Sequence, residues 1–230
     1  MTLRVGGLTP LSTTDWPGML AAVVFCQGCP WRCGYCHNPG LIPARGDSEI
    51  PWGDVLAFLR RRQGLLDGVV FSGGEPTVQA GLPHAMREVR ALGFKIGLHT
   101  GGAYPQHLAA ALPLVDWVGF DVKAPFADYP RITGAAGSGD RALAGLQQVL
   151  ASGVANEIRT TVHPALLADG EVVGLARDLA ARGVKHYVIQ AFRSQGCGDE
   201  ALRQNAARER SLQDVSDELA GLFEEYSVRA

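Results

Sequence analysis

The chain has 230 residues, 47% of them apolar and 19% charged, which supports one well-filled core and excludes a disordered chain. Its formal net charge is -2, with basic and acidic residues scattered through both halves, so nucleic acid is not expected as a partner. No apolar run reaches membrane-spanning length, and the longest early one, 19–26, is strand-sized and too far in for a signal sequence, so a cytoplasmic protein with no membrane partner is expected.

The first strand is predicted at 20–26. It runs into a loop holding four of the five cysteines, Cys26-Gln27-Gly28-Cys29-Pro30-Trp31-Arg32-Cys33-Gly34-Tyr35-Cys36-His37-Asn38. A helix at 52–62 follows, ending in Arg60-Arg61-Arg62, where three cations complement the helix dipole and face water. A second strand, 68–71, leads into Ser72-Gly73-Gly74-Glu75-Pro76 and a helix at 82–91. The third, 94–98, leads into His99-Thr100-Gly101-Gly102 and a helix at 106–112. The fourth, 117–121, ends in Asp121-Val122-Lys123 and precedes a helix at 140–151. The fifth, 157–162, carries Arg159 and runs to His163, with a helix at 171–181. The sixth, 186–192, has Gln190 and Arg193 about its end, and a last helix is predicted at 207–223. Gly93, Gly153 and Gly183 stand where left-handed helix C-caps are expected.

Apolar strands alternating with helices predict parallel βαβ units with both sheet faces covered. Periodicity alone fits either an open doubly wound sheet or a curved, partly closed barrel. One domain over 1–230 is expected, with a core at about 19–193 and a C-terminal helical segment at about 200–230. In both architectures ligands gather at the C-terminal ends of the strands. Each chemically suggestive group follows its strand, which predicts one shared site on one rim.

Four thiols between positions 26 and 36 would strain a disulfide framework, and in a reducing compartment such a cluster is metal-binding or catalytic. Structural zinc takes two ligand pairs separated by a longer stretch, which fits this loop poorly. A four-thiolate ferredoxin-type site is a second reading, although its spacing normally differs. The third is a cubane cluster held at three irons by Cys29, Cys33 and Cys36, with the fourth iron open. Cys26 then reads as a buried thiol at a strand end and Cys197, alone in its loop, as an ordinary free thiol. His84 and His107 read as solvated helix residues and His186 as a strand start, while His163 stays open.

Cys29-x3-Cys33-x2-Cys36, with Gly73-Gly74-Glu75-Pro76 one strand later, resembles the radical S-adenosylmethionine (SAM) enzymes. The resemblance implies a partial (β/α)6 TIM-like barrel, a [4Fe–4S] cluster and bound SAM, whose reductive cleavage releases a 5′-deoxyadenosyl radical. It further implies that the Gly73-Gly74 backbone and Glu75 receive the SAM amino group, glycine permitting the close approach. Asp15-Trp16-Pro17-Gly18, Gln27 to Cys33, Cys36-His37-Asn38-Pro39, Asp121-Val122-Lys123 and Arg159-Thr160-Thr161 are similar to the activating enzymes of glycyl radical proteins. Within these the chain resembles the branch acting on anaerobic ribonucleoside-triphosphate reductase, with pyruvate formate-lyase activating enzyme a near relative. By that resemblance Asn38, Lys123 and Arg159 contact SAM and Asp121 lines the same pocket. Where relatives place an Asp-Thr pair at a monovalent cation, this chain has His99-Thr100; an imidazole is a poor ligand for a hard cation, so His99 is expected to approach the SAM carboxylate directly.

The expected activity is that of an oxidoreductase that removes hydrogen from a glycine of a glycyl radical enzyme, with flavodoxin or ferredoxin as reductant. Two alternatives remain at this level: a radical SAM enzyme for a small molecule, and an iron–sulfur electron carrier or zinc module without enzymatic activity.

Overall fold

The computed structural model describes residues 2–205, 218–219 and 221–229. Its strands are β1 (Val5–Ser12), β2 (Ala21–Cys26), β3 (Gly68–Gly73), β4 (Lys95–Thr100), β5 (Trp117–Asp121), β6 (Ala155–Val162), β7 (His186–Ala191) and β8 (Glu225–Arg229). They form one sheet in chain order. β1 pairs antiparallel with β2, and every later neighbour is parallel. Sequential order without a reversal distinguishes this sheet from a doubly wound one and makes it a curled barrel fragment, left open between β1 and β8.

All six predicted strands are present as β2 to β7, close to their predicted ends, and two more flank them. β1 contains Gly6, Gly7 and Pro10, residues that read as a loop. Its pairing with β2 is interrupted by register shifts at Val5/Gly7 and Thr9/Ser12, which is how an edge strand accommodates them.

The helices are α1 (Trp52–Arg60), α2 (Leu82–Ala91), α3 (Pro105–Ala111), α4 (Tyr129–Thr133), α5 (Ser138–Ser152), α6 (Asp169–Ala181) and α7 (Glu200–Asn205). Gly93, Gly153 and Gly183 all have positive φ, as the cap reading required. The helix predicted at 207–223 lies mostly outside the described residues. The expectation of a helical segment to residue 230 is corrected by β8, whose Glu225-Tyr226-Ser227-Val228-Arg229 alternates with period two and pairs with β7.

Period-two alternation divides each strand between two environments. Ala22, Val24, Cys26, Phe71, Leu98, Phe120 and Ile158 face the helices and build the larger core. Ala21, Val23, Val70 and Trp117 face inward around Trp16, which plugs the end of the barrel where the strands begin. The Trp16 and Trp117 rings stack at 5.7 Å and 17°. Gly68 and Gly97 make the space: a Cβ on either would stand 2.9 Å from the Trp16 ring. The inner face is thus apolar where strands start and polar where they end, at His99, Asp121, Arg159 and Thr161.

Candidate functional site

The cysteine loop leaves β2 and is stitched to its surroundings through the backbone. Gly74 N–H donates to the Cys26 carbonyl at 3.0 Å and Glu75 N–H to the Gly28 carbonyl at 2.9 Å. Gly28 and Cys29 N–H donate to the carbonyls of Leu41 and Ile42. The buried Gln27 side chain donates to the Gly40 and Pro43 carbonyls and pins the returning chain. Gly73, at φ +116, packs so closely that a Cβ would collide with the Cys26 backbone, and one on Gly74 would collide with the Gly28 carbonyl. These glycines therefore let two strand-end loops touch, in addition to baring backbone toward the cavity.

All the residues singled out for the site line one cavity of about 260 Å³ at the C-terminal ends of β2 to β7. Cys29, Cys33, Cys36 and Asn38 come from the cysteine loop; Gly73, Gly74 and Glu75 follow β3; His99 lies on β4, Asp121 and Lys123 at the end of β5, and Arg159 on β6. Asn38 precedes a short 3-10 turn at Pro39–Leu41 without capping it through its side chain. Cys26 is absent from the cavity wall and belongs to the outer core, as expected of a strand-end thiol.

Glu75 is 2% exposed and ties two rim loops together. Its Oε1 accepts from Thr77 N–H, Thr77 Oγ1 and Thr100 Oγ1, while Oε2 accepts from Gly101 N–H at 2.9 Å. Arg159 is held on the inner face by Asp121: its Nε donates to Oδ1 at 2.9 Å, with Asp121 and Arg159 paired in register across β5 and β6. Burial raises the Asp121 pKa, but the Arg159 and Lys123 charges outweigh it and the net shift is downward. Lys123 is held above its ordinary range against burial by Tyr35, Cys33, Asp121 and Tyr129. Its ammonium lies 5.9 Å from the Trp31 ring centre and 5.7 Å from that of Tyr35.

His99 Nε2 donates to the Asp15 carbonyl at 2.8 Å, and Ser72 Oγ lies 3.2 Å from Nδ1. Burial, then the Arg159 guanidinium, push its pKa down to about 4, so the ring is neutral at physiological pH. Burial raises the Cys33 thiol and pushes Cys29 up to about 12, with Glu75 adding to the rise at Cys29 and Lys123 opposing it at both.

Sequence reasoning missed the aromatic box of Trp31, Tyr35 and Tyr129 around Lys123, and the space that Gly119 gives Arg159. Trp31 and Tyr35 sit inside the cysteine motif, which was the available signal. Tyr129 arrives by tertiary folding, its hydroxyl accepting from Lys123 N–H at 2.9 Å, and carries no local signal. His163 is buried, its Nε2 donating to the Leu202 carbonyl at 3.1 Å. His107 is exposed, as read, and its Nδ1 donates to the Thr77 carbonyl.

Residues 23–189 match the Radical SAM superfamily. The chain belongs to that superfamily. Its members use a [4Fe–4S] cluster and SAM, and membership sets aside the electron-carrier and zinc-module readings. The chain is 28% identical over 213 residues to a putative glycyl-radical enzyme activating enzyme of Methanocaldococcus jannaschii, covering 89% of this chain and 86% of the relative. It is 36% identical over 101 residues to the pyruvate formate-lyase-activating enzyme of Clostridium pasteurianum, covering 42% and 41%. Among solved structures, peptide-bound SuiB of Streptococcus suis superposes with a TM-score of 0.68 at 12% identity. That alignment covers 90% of this chain but 48% of SuiB, so the likeness is one of fold and the chain spans about half of that structure's length.

The donor set fits the superfamily's cofactors. Among the described residues no three His, Cys, Asp or Glu side chains converge as a site for a single metal ion. A cubane spreads its thiolates over separate irons and is served by three thiols set around one cavity. The same wall offers a guanidinium and carboxylates to an amino-acid ligand.

Proposed function

We propose that this radical SAM chain activates a glycyl radical enzyme, with anaerobic ribonucleoside-triphosphate reductase as its target. The observation that carries the reading is the meeting of three loop thiols with Glu75, His99, Asp121, Lys123 and Arg159 on the wall of one cavity. The relatives named as glycyl-radical activating enzymes and the motif resemblance support the substrate class.

Cys29, Cys33 and Cys36 are the residues that hold the cluster. When bound, the cluster and SAM supply the 5′-deoxyadenosyl radical that takes a glycine hydrogen. The chain's own residues bind and orient. Arg159, fixed by Asp121, presents its remaining N–H groups to the SAM carboxylate, beside the neutral His99. Glu75 Oε2 and the Gly73-Gly74 backbone face the amino group. Asn38 and Lys123 complete the contacts. Because the Cys29 thiol is protonated at neutral pH, cluster loading displaces its proton.

A second cavity of about 460 Å³ adjoins the first, bounded by Thr14 and Asp15 after β1 and by Gln190, Arg193 and Arg229 near β7 and β8. It opens on the side where the sheet is unclosed, which suits entry of a polypeptide loop. By the same resemblance a flavodoxin or ferredoxin is the expected reductant.

The test is anaerobic reconstitution with iron and sulfide, then SAM and dithionite, with 5′-deoxyadenosine quantified beside a Cys33→Ala control. Electron paramagnetic resonance with the anaerobic reductase should show a glycyl radical. Deoxyadenosine without that signal would move the reading to another glycyl radical enzyme or to a small-molecule substrate; neither product from a fully loaded protein would overturn it.

A further inference from the structure

Residues 192–202 lie across the second half of the cysteine loop, and the proposed activity gives them no role beyond the place of Arg193 on the wall of the second cavity. The Phe192 ring stacks on His37 at 5.5 Å and 26°. His37 Nε2 donates to the Arg193 carbonyl at 2.9 Å. Gly196 has φ +84, and a Cβ there would meet the His37 carbonyl oxygen at 2.5 Å. The Cys197 thiol, 5% exposed, donates to the Gly34 carbonyl at 3.5 Å. Leu202 packs on Gly34, standing 3.6 Å from where a Cβ on that glycine would be. The far end is fixed in turn by the Leu202 carbonyl, which accepts from His163 on the other side of the segment.

The two halves of the cysteine loop are held differently. Cys29 is anchored by its own N–H to the Ile42 carbonyl and by the stitching of Gly28 to Glu75. The Cys33-to-Cys36 half has one internal bond, Cys36 N–H to the Cys33 carbonyl at 3.0 Å; Arg32 N–H ahead of it donates to the Thr133 carbonyl and Tyr35 packs on Lys123, while Gly34 and His37 rest on 192–202. Gly34 lies within this turn, so a donor on its carbonyl fixes the Gly34–Tyr35 peptide plane, between Cys33 and Cys36. Partners of the ligand-bearing chain orient metal ligands, and hydrogen bonding and solvent exposure set the potential of an iron–sulfur cluster.

We propose that 192–202 is a strap that holds Cys33 and Cys36 in their cluster-binding arrangement and limits water at the cluster, with Cys197 as its anchoring, positioning residue. The inference rests on the assignment of Cys29, Cys33 and Cys36 as the ligands. Cys197 acts through the Gly34 carbonyl and is neither a ligand nor a reactive thiol.

The test compares the reconstituted parent with Cys197→Val, which keeps bulk and removes the donor, and Cys197→Ser, which keeps a donor. Gly196→Ala, which forces the strap off the His37 carbonyl while leaving the thiol in place, is a second route to the same defect. Iron release to a ferrous chelator, the cluster midpoint potential and far-ultraviolet circular dichroism are measured. Cys197→Val and Gly196→Ala should load the same iron, release it about tenfold faster, and shift the potential, an effect on the scale of losing an outer-shell partner. Cys197→Ser should recover most of the parental rate and potential. Parental release and potential in Cys197→Val, with native dichroism, would overturn the strap. Failure of a folded Cys197→Val to take up a cluster would overturn it differently, by making Cys197 a ligand. Cys33→Ala separates the two levels: if it retains a full cluster, the ligand assignment fails and the strap fails with it.

Discussion

The guanidinium of Arg159 lies over Gly119, so close that a Cβ on the glycine would stand 2.7 Å from its Cζ. The Gly119 carbonyl accepts from Nη2 at 3.4 Å, Asp121 accepts from Nε, and Nη1 lies 3.1 Å from His99 Nε2. The missing side chain two residues before Asp121 is what lets a long cation lie flat on the inner face of the sheet.

Gly119→Ala separates that positioning role from stability. The obstructing atoms are the end of a flexible side chain, which swings away, so the fold and its melting temperature should change little. Arg159 should leave Asp121, and SAM affinity should fall by about tenfold or more, equivalent to about 1.4 kcal/mol. Calorimetric titration of SAM into the reconstituted variant checks it; parental affinity would show that Arg159 is not the carboxylate contact.

Gly74→Ala should behave in the opposite way. Its Cβ meets the Gly28 carbonyl, a backbone atom that cannot move without pulling the cysteine loop off β3. A destabilisation of roughly 1–3 kcal/mol is expected, with poor cluster loading. Urea unfolding of the apoprotein, read beside iron content after reconstitution, distinguishes a loop defect from a loss of SAM contact alone.

The alternating strands and helices, the rim and the members of the site were legible because each depends on local pattern: apolar strands, glycine caps, and polar residues just past strand ends. β1 was not legible, since Gly6, Gly7 and Pro10 carry the composition of a loop and become strand only by pairing with β2. β8 lies beyond the helix predicted at 207–223 but within the expected helical segment at about 200–230, although Glu225 to Arg229 alternates with period two. Within the site, the family resemblance implied a contact of Glu75 with the SAM amino group, and nothing in the sequence hinted that Glu75 ties Thr77, Thr100 and Gly101 together. Those partners are on another strand or in the next turn, and a contact of that kind leaves no periodic trace.

Glu75→Gln tests this second duty. The amide keeps the shape and one acceptor, yet turns an NH2 toward Gly101 N–H, leaving a buried donor unsatisfied. The apoprotein should lose roughly 1–3 kcal/mol. Because no SAM is present, denaturant unfolding of the apoprotein reads the structural role alone, and an unchanged midpoint would reject it.

The pH dependence of the apoprotein follows from His99. Its pKa in the fold, about 4, lies below the ordinary 6.5, so between those values the unfolded chain binds the extra proton and the folded chain does not. Stability contributed by the neutral ring is present above about pH 6.5 and is lost as pH falls toward about 4. His37 is shifted in the same direction and adds to the slope, whereas Asp121, held below 3.8, acts only at more acidic pH. His99→Gln retains an N–H donor for the Asp15 carbonyl and removes the titration. The variant's melting temperature should therefore fall less than the parent's across that window, with the remaining slope set by other groups such as His37. Parallel curves for parent and variant would mean that His99 is free to protonate in the fold, against its burial and the guanidinium beside it.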